Sequence, residues 1–332
     1  MRRIRKAVLP VAGLGTRVLP ATKVTPKEML PVFDRPALQY VIDEALAAGI
    51  EHFVFVTGRN KGAIEDYFDS AYELEATLAG KGKTGLLDEL SNLLPEAGRC
   101  SFVRQQAPLG LGHAVWCARD TVGEEPFAVM LPDMIMVSDP PCLQAMADAH
   151  AETGGNIISV EAVPREDVSK YGICDVGEPS GAGIKVMKGM VEKPAVEDAP
   201  SNLMISGRYI LQPRIFELLA DQGAGAGGEI QLTDAMVRLM AEDAFHAFAE
   251  VERLRAAMFG EATTLTFEMT RAQLFERKRL AEDADDTEAQ LGNLSLTHRF
   301  GEAGAAGGLE VHGDRAPAQI FALRQVDGAA TA

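Results

Sequence analysis

Cysteine is scarce in this sequence, with four residues in 332: Cys100, Cys117, Cys142 and Cys174. They lie far apart and form no C-x-x-C pair, which argues against a metal cluster or a disulfide scaffold and leaves reduced, mostly buried thiols as the expectation. Long apolar runs are missing as well. Nothing reaches the roughly 18 consecutive apolar residues that a membrane-spanning helix needs, and no apolar segment of the signal-peptide kind follows the Met-Arg-Arg start. The expected compartment is the cytoplasm, with no membrane partner. Positive charge is short overall: the net charge is −16, whereas a nucleic-acid binder normally carries a basic face, so nucleic acid is not expected as a partner. No internal repeat at a fixed period is visible.

What is present is a globular composition. Hydrophobic residues make up 47% of the chain, ample for the core of one large or two ordinary domains. The cations that do occur are concentrated. The first 35 residues hold eight Lys or Arg against two Asp or Glu. An acidic chain that binds a nucleoside triphosphate must gather its cations in this way, with a divalent metal meeting the remaining phosphate charge.

Those cations fall in residues 7–31, AVLPVAGLGTRVLPATKVTPKEMLP. Ala7 to Val11 read as a buried strand, and Gly13 and Gly15 suit a backbone that turns tightly and approaches a ligand. Arg17, Lys23 and Lys27 add fixed charge beside them, and exposed N–H groups with cations nearby suit a polyphosphate. The spacing separates two common phosphate motifs from this one. A dinucleotide fingerprint needs a third glycine where Val18 stands, and the GKT at Gly82 to Thr84 has Thr77 where a Walker A loop begins with glycine.

Downstream, Leu38, Val41, Ile42, Ala45 and Leu46 repeat at helical spacing and Gly49 ends the helix. Phe53 to Val56 is the next strand, with a polar helix over Lys61 to Tyr67. Residues 70–98 read as a glycine-broken helical excursion, and Cys100 to Arg104, Phe127 to Leu131 and Ile157 to Val163 as further strands, with a helix from Pro141 to Glu152. This rhythm predicts an α/β fold with a mostly parallel sheet covered by helices on both faces.

Several segments carry candidate chemistry. RQQAPLGLGH puts Gln105 and Gly110 at a strand-to-helix switch, where an amide donates and accepts together, as reading a pyrimidine edge requires. His113 reads as a structural histidine at the helix start. Asp133 ends the apolar run FAVMLP, and a carboxylate at the carboxyl end of a buried strand is where an open α/β sheet builds its site. It suits Mg²⁺, which takes one or two protein carboxylates and fills its other positions with phosphate oxygens and water; capping a turn is the other use of an aspartate there. Glu192 with Lys193 pairs a hydroxyl acceptor with a phosphate-facing cation, and Pro194 is expected to hold Lys193 extended. Thr233 and Asp234 read as helix caps.

The opening G-x-G-T-R followed by P-K-E-M-L-P, together with L-G-L-G-H-A-V, K-Y-G-I, V-E-K-P, NLMISGRY and G-E-I-Q-L-T-D-A, resembles the sugar nucleotidyltransferases, and specifically the bacterial uridylyltransferases acting on glucose 1-phosphate. The resemblance implies a doubly wound, Rossmann-like fold, dependence on Mg²⁺, and formation of UDP-glucose and pyrophosphate from UTP and glucose 1-phosphate. It implies uracil contacts for Ala12, Gly13, Gln105 and Gly110 beside Gly15, triphosphate contacts for Arg17 and Lys27, metal at Asp133, sugar contacts for Gly172, Glu192 and Gly207, and the sugar phosphate at Lys193. Relatives commonly form homodimers or homotetramers.

The resemblance covers residues 1–248, taken as the catalytic domain. The family continues with a D-C-G-x-K-like motif that supplies a second metal ligand and a phosphate-binding lysine, and 249–332 contains none. This divergent segment carries 9 basic and 14 acidic residues, a helical stretch expected over 271–291, and a glycine- and alanine-rich end. Asp283, Asp285 and Asp286 stand there without ligand spacing. Three readings follow: a working enzyme with an altered end, a weakened regulatory paralogue, or a pyrophosphorylase using another sugar or base.

Overall fold

The computed structural model describes residues 3–249 apart from 33, 137, 181 and 182, and beyond them the backbone of four strands. The chain divides into two compact units, residues 1–252 and 253–332.

In the first unit the strands in chain order are β1 (Lys6–Pro10), the two-residue pair β2 (Pro31–Val32) and β3 (Arg35–Pro36), β4 (His52–Thr57), β5 (Cys100–Arg104), β6 (Phe127–Met130), β7 (Asn156–Ala162), β8 (Gly172–Pro179), β9 (Ile184–Glu192), β10 (Leu203–Leu211) and β11 (Phe245–Phe248). The helices are α1 (Ala37–Ala47), α2 (Gly62–Tyr67), α3 (Tyr72–Gly80), α4 (Thr84–Leu93), α5 (Leu111–Cys117), α6 (Arg119–Val122), α7 (Cys142–Thr153), α8 (Ile215–Ala220) and α9 (Leu232–Leu239). Nine strands form one sheet in the order β5-β4-β1-β6-β10-β7-β11-β9-β8.

The reason for a three-layer fold is written in the strands. β1 reads KAVLP, apolar without alternation, and its central residues are fully buried on both faces. Ala7 and Leu9 join Phe53 and Phe55 beneath α1 and α7, packed on Leu38, Val41, Ile42, Leu143 and Met146. Val8 points the other way and joins Val54 and Val129 beneath α5, α8 and α9, on Val115, Ile215, Leu219, Met236 and Leu239. Each such Leu or Ile contributes about 1.5–3 kcal/mol of burial. The doubly wound α/β expectation holds, and seven of the nine strands run in one direction. β10 and β9 run against them, β10 between β6 and β7 and β9 between β11 and β8.

These reversals matter for the site. β10 brings Gly207 against the turn that follows β6, with the Leu131 N–H donating to Gly207 O at 2.9 Å. β8 and β9 form an antiparallel ladder in which Gly172 faces Glu192. Helices α3 and α4 occupy the glycine-broken excursion and bury no residue.

The second unit has a four-stranded sheet, β12 (Leu265–Glu268), β13 (Leu294–His298), β14 (Gly308–Gly313) and β15 (Phe321–Arg324), in the order β12-β15-β14-β13. The helix expected over 271–291, and Asp283, Asp285 and Asp286 within it, lie outside the described residues.

Candidate active site

The loop after β1 is a series of short 3-10 turns, Thr16–Val18, Ala21–Lys23 and Lys27–Met29. Gly15 takes φ 66° and leads into the first. The Thr22 hydroxyl closes the loop by donating to Gly15 O at 2.6 Å. Gly13 differs: its φ is not in the left-handed region, and an added Cβ would only touch Lys27 Cε at 3.6 Å. The fold therefore demands glycine at 15 and does not demand it at 13.

Lys27 leaves this loop toward Asp133. Its ammonium stands 2.6 Å from Asp133 Oδ2, with the two side chains 19% and 29% exposed. Arg17 is exposed and forms no side-chain hydrogen bond or ion pair among the described residues. Beneath them lies a charge pair that the sequence did not advertise. Glu28, the neighbour of Lys27, is buried and accepts from Lys61 Nζ at 2.8 Å, tying the loop to the start of α2. Burial pushes the Glu28 carboxyl above the usual glutamate range, and the Lys61 ammonium opposes that. The other carboxylate oxygen of Glu28 has no hydrogen-bond partner.

Asp133 sits in the turn just past β6. Arg208 on β10 holds that turn from behind, with Nη1 donating to Leu131 O at 3.2 Å and Nη2 to Met134 O at 2.7 Å. The Arg208 charge is answered by Glu44 of α1, which accepts from Nε at 3.1 Å and from Nη2 at 2.7 Å, while Glu44 Oε1 also accepts the Leu143 N–H of α7 at 3.1 Å. Arg208 is fully buried and Glu44 nearly so. Gly207 beside it takes φ 84°, and a Cβ there would fall 2.9 Å from Met134 Cγ, so glycine is needed for the turn to pack.

Gln105 is buried, and its side-chain nitrogen lies 3.0 Å from Gly110 O as donor and 3.1 Å from His113 Nδ1. Gly110 has φ 106° and lies against Glu229 and Ile230. His113 lies in the first turn of α5 and stacks on Trp116, with burial lowering its pKa, in keeping with a structural role.

On the ladder of β8 and β9, a Cβ at Gly172 would come within 3.0 Å of Glu192 Oε2, so the bare glycine leaves room for that carboxylate. Lys193 Nζ is 3.6 Å from Glu192 Oε1. Two expectations are corrected here. Lys193 is not extended: φ is 48°, a left-handed turn that swings the chain out of β9 ahead of Pro194. Thr233 and Asp234 do not cap α9 either. The cap position is Gln231, which makes no side-chain capping bond, and the Thr233 hydroxyl instead donates to Glu192 Oε2 at 2.8 Å.

Among the described residues no group of three or more His, Cys, Asp or Glu stands together. Asp133 supplies one carboxylate, already facing a cation in the form of the Lys27 ammonium. That donor set fits a hard divalent cation that draws its other ligands from phosphate and water. Burial drives the Cys100 thiol up to about 11 and Cys174 to about 12, so both stay protonated and unreactive at neutral pH.

A cation-bearing glycine loop, an aspartate past a central strand and a doubly wound sheet point to a class, and comparison with known proteins agrees. The nucleotidyl transferase family model matches residues 6–252, and the chain belongs to that family. Within it, the chain is 50% identical over 248 residues to UTP–glucose-1-phosphate uridylyltransferase 2 of Staphylococcus saprophyticus, covering 75% of this chain and 85% of the relative. A solved UTP-bound enzyme of Acinetobacter baumannii, described as a UGPase, superposes with TM-score 0.69 at 47% identity over 75% of this chain and 87% of its own. A UDP-glucose pyrophosphorylase complexed with UDP-glucose superposes with TM-score 0.69 at 42% identity, covering 76% of this chain and 92% of that one. No helix among the described residues is long and apolar enough to cross a membrane.

Proposed function

We propose that this chain transfers a uridylyl group from UTP to glucose 1-phosphate, releasing pyrophosphate and UDP-glucose. The observation that carries the reading is the Lys27–Asp133 pair: a cation and a carboxylate 2.6 Å apart at the mouth of the glycine loop, both partly open to solvent. Half-identity to a uridylyltransferase over 248 residues supports the choice of nucleotide and sugar. We place the catalytic unit in residues 1–248 and Mg²⁺ at Asp133.

The chemistry follows from charge. A phosphate oxygen of the sugar attacks the α-phosphorus in line while pyrophosphate leaves on the opposite side. That oxygen is already anionic, so no general base is required, and the protein's contribution is positioning and neutralisation. Arg17 and Lys27 face the triphosphate, and Lys193 faces the attacking phosphate. Gly13, Gly15 and Ala12 shape the pocket from the opening loop, with Gln105 and Gly110 presented to the base. Gly172, Glu192 and Gly207 border the sugar. A bound Mg²⁺ supplies further neutralisation of the phosphate oxygens. Gln105 already donates to Gly110 O, so it is oriented before the base arrives. The enzyme acts in the cytoplasm as a homodimer or homotetramer.

The test is pyrophosphate release from each nucleoside triphosphate with several sugar 1-phosphates, on the full chain with Mg²⁺. UTP with glucose 1-phosphate should give the highest kcat/KM. A higher value for another pair would replace the substrate assignment, and UTP binding without turnover with any sugar phosphate would remove it.

A further inference from the structure

The segment Glu229 to Thr233 touches both halves of this site. Ile230 N–H donates to Leu109 O at 2.7 Å, and Ile230 O accepts the Gly112 N–H at 2.8 Å. The segment is thus clamped across the loop that carries Gly110. A Cβ at Gly112 would stand 2.8 Å from Ile230 O, so small residues in that loop let the two backbones meet. Three residues on, the buried Thr233 donates to Glu192 Oε2.

The hydroxyl that meets the free N–H groups of a first turn is that of the cap residue; Thr233 is the second residue of α9, past the cap position Gln231, and its hydroxyl crosses to another element. The effect on Glu192 is specific. A carboxylate swings about its terminal bond unless one oxygen is held. Here Oε2 is held by Thr233 and stands over Gly172, while among the described residues Oε1 has the longer 3.6 Å approach of Lys193.

We propose that Thr233 is a positioning residue that sets sugar selectivity: by holding Glu192 Oε2 it fixes the plane in which Oε1 accepts sugar hydroxyls, and through Ile230 it ties that plane to the base-reading loop. The inference rests on the proposed reading of Glu192 as the hydroxyl acceptor. Loss of one neutral-to-charged hydrogen bond corresponds to roughly a tenfold change.

The experiment compares T233V, T233S and E192Q with the parent, using glucose 1-phosphate and its C4 epimer galactose 1-phosphate, and records kcat, both KM values and the unfolding midpoint. T233V should raise the KM for glucose 1-phosphate about tenfold and shrink the preference for glucose over galactose. It should leave the KM for UTP within about twofold and the midpoint close to that of the parent, and T233S should restore both the KM and the preference. If E192Q raises the sugar KM while T233V leaves KM and epimer preference at parent values, the role of Thr233 is overturned and the reading of Glu192 stands. A T233V defect that T233S does not rescue also overturns it. If E192Q itself leaves the sugar KM unchanged, the reading of Glu192 falls and this inference with it.

Discussion

Two ion pairs bracket the turn that carries Asp133, and they are built differently. Behind it, Arg208 and Glu44 are closed to solvent, and the guanidinium spends its donors on a carboxylate and on the carbonyls of Leu131 and Met134. In front, Lys27 and Asp133 make a short contact but keep a fifth to a third of their surface open. The contrast separates two uses of charge in one small region. Charge whose hydrogen-bonding capacity is consumed by the protein fixes a turn, and charge that remains accessible is available to a substrate. The Glu28–Lys61 pair is intermediate: it is buried like the first, but Glu28 is the chain neighbour of Lys27 in the second.

The sharpest way to break the comparison is to exchange the expected outcomes. Arg208→Met leaves Glu44 buried without its partner, and should cost about 3–5 kcal/mol of stability, measured by chemical denaturation; replacing both Arg208 and Glu44 with apolar residues of similar volume should recover most of that loss. Asp133→Asn should lower kcat/KM by about 10²–10³ in a pyrophosphate-release assay while costing about 0–1 kcal/mol of stability, since its pair stays partly open to solvent. Lys61→Met tests the intermediate case. It strips the counter-charge from Glu28 and should lower both stability and turnover, with Glu28→Gln in the same chain restoring stability more fully than turnover.

The smallest effect concerns histidines remote from the chemistry. Burial holds His52, His150 and His246 below the ordinary histidine pKa. A lowered folded-state value means the stability they contribute is present above the unfolded pKa near 6.5 and is lost as pH falls through the folded values. The unfolding midpoint should therefore decline from pH 7.5 toward pH 5. His150→Gln should flatten that decline without altering the substrate KM values, because its neighbour Gln212 lies on the α7 side of the sheet.

Much of the fold was legible because it is local. The unbroken apolar run at Ala7 to Leu9 and the helical spacing of Leu38, Val41 and Ile42 encode a doubly covered sheet, and both found their layers. The glycine loop with Lys27 stood out as a polyphosphate candidate through its joint spacing with P-K-E-M-L-P, since glycines and nearby cations alone also make an ordinary strand-to-loop turn. What escaped was tertiary. Glu44 reads as one of two adjacent charges on a largely apolar helix, and Arg208 as one charge in an apolar strand, 164 residues apart in sequence. The only local hint is that each interrupts a buried face. Thr233 misled for the opposite reason. Its position at a helix start has a common local use, and only the antiparallel run of β9 brings Glu192 within its reach. Lys193 likewise takes its φ of 48° from the exit of β9, against the extended preference that Pro194 sets.

The measurement that bears most directly on the central claim is Lys27→Met studied in one preparation by two readouts: the single-turnover rate of pyrophosphate release from UTP with saturating glucose 1-phosphate and Mg²⁺, and the free energy of unfolding. The predicted result is a rate lower by about 10²–10³ with stability within about 1 kcal/mol of the parent. A parent-like rate, or a loss of rate no larger than the loss of stability accounts for, would contradict it.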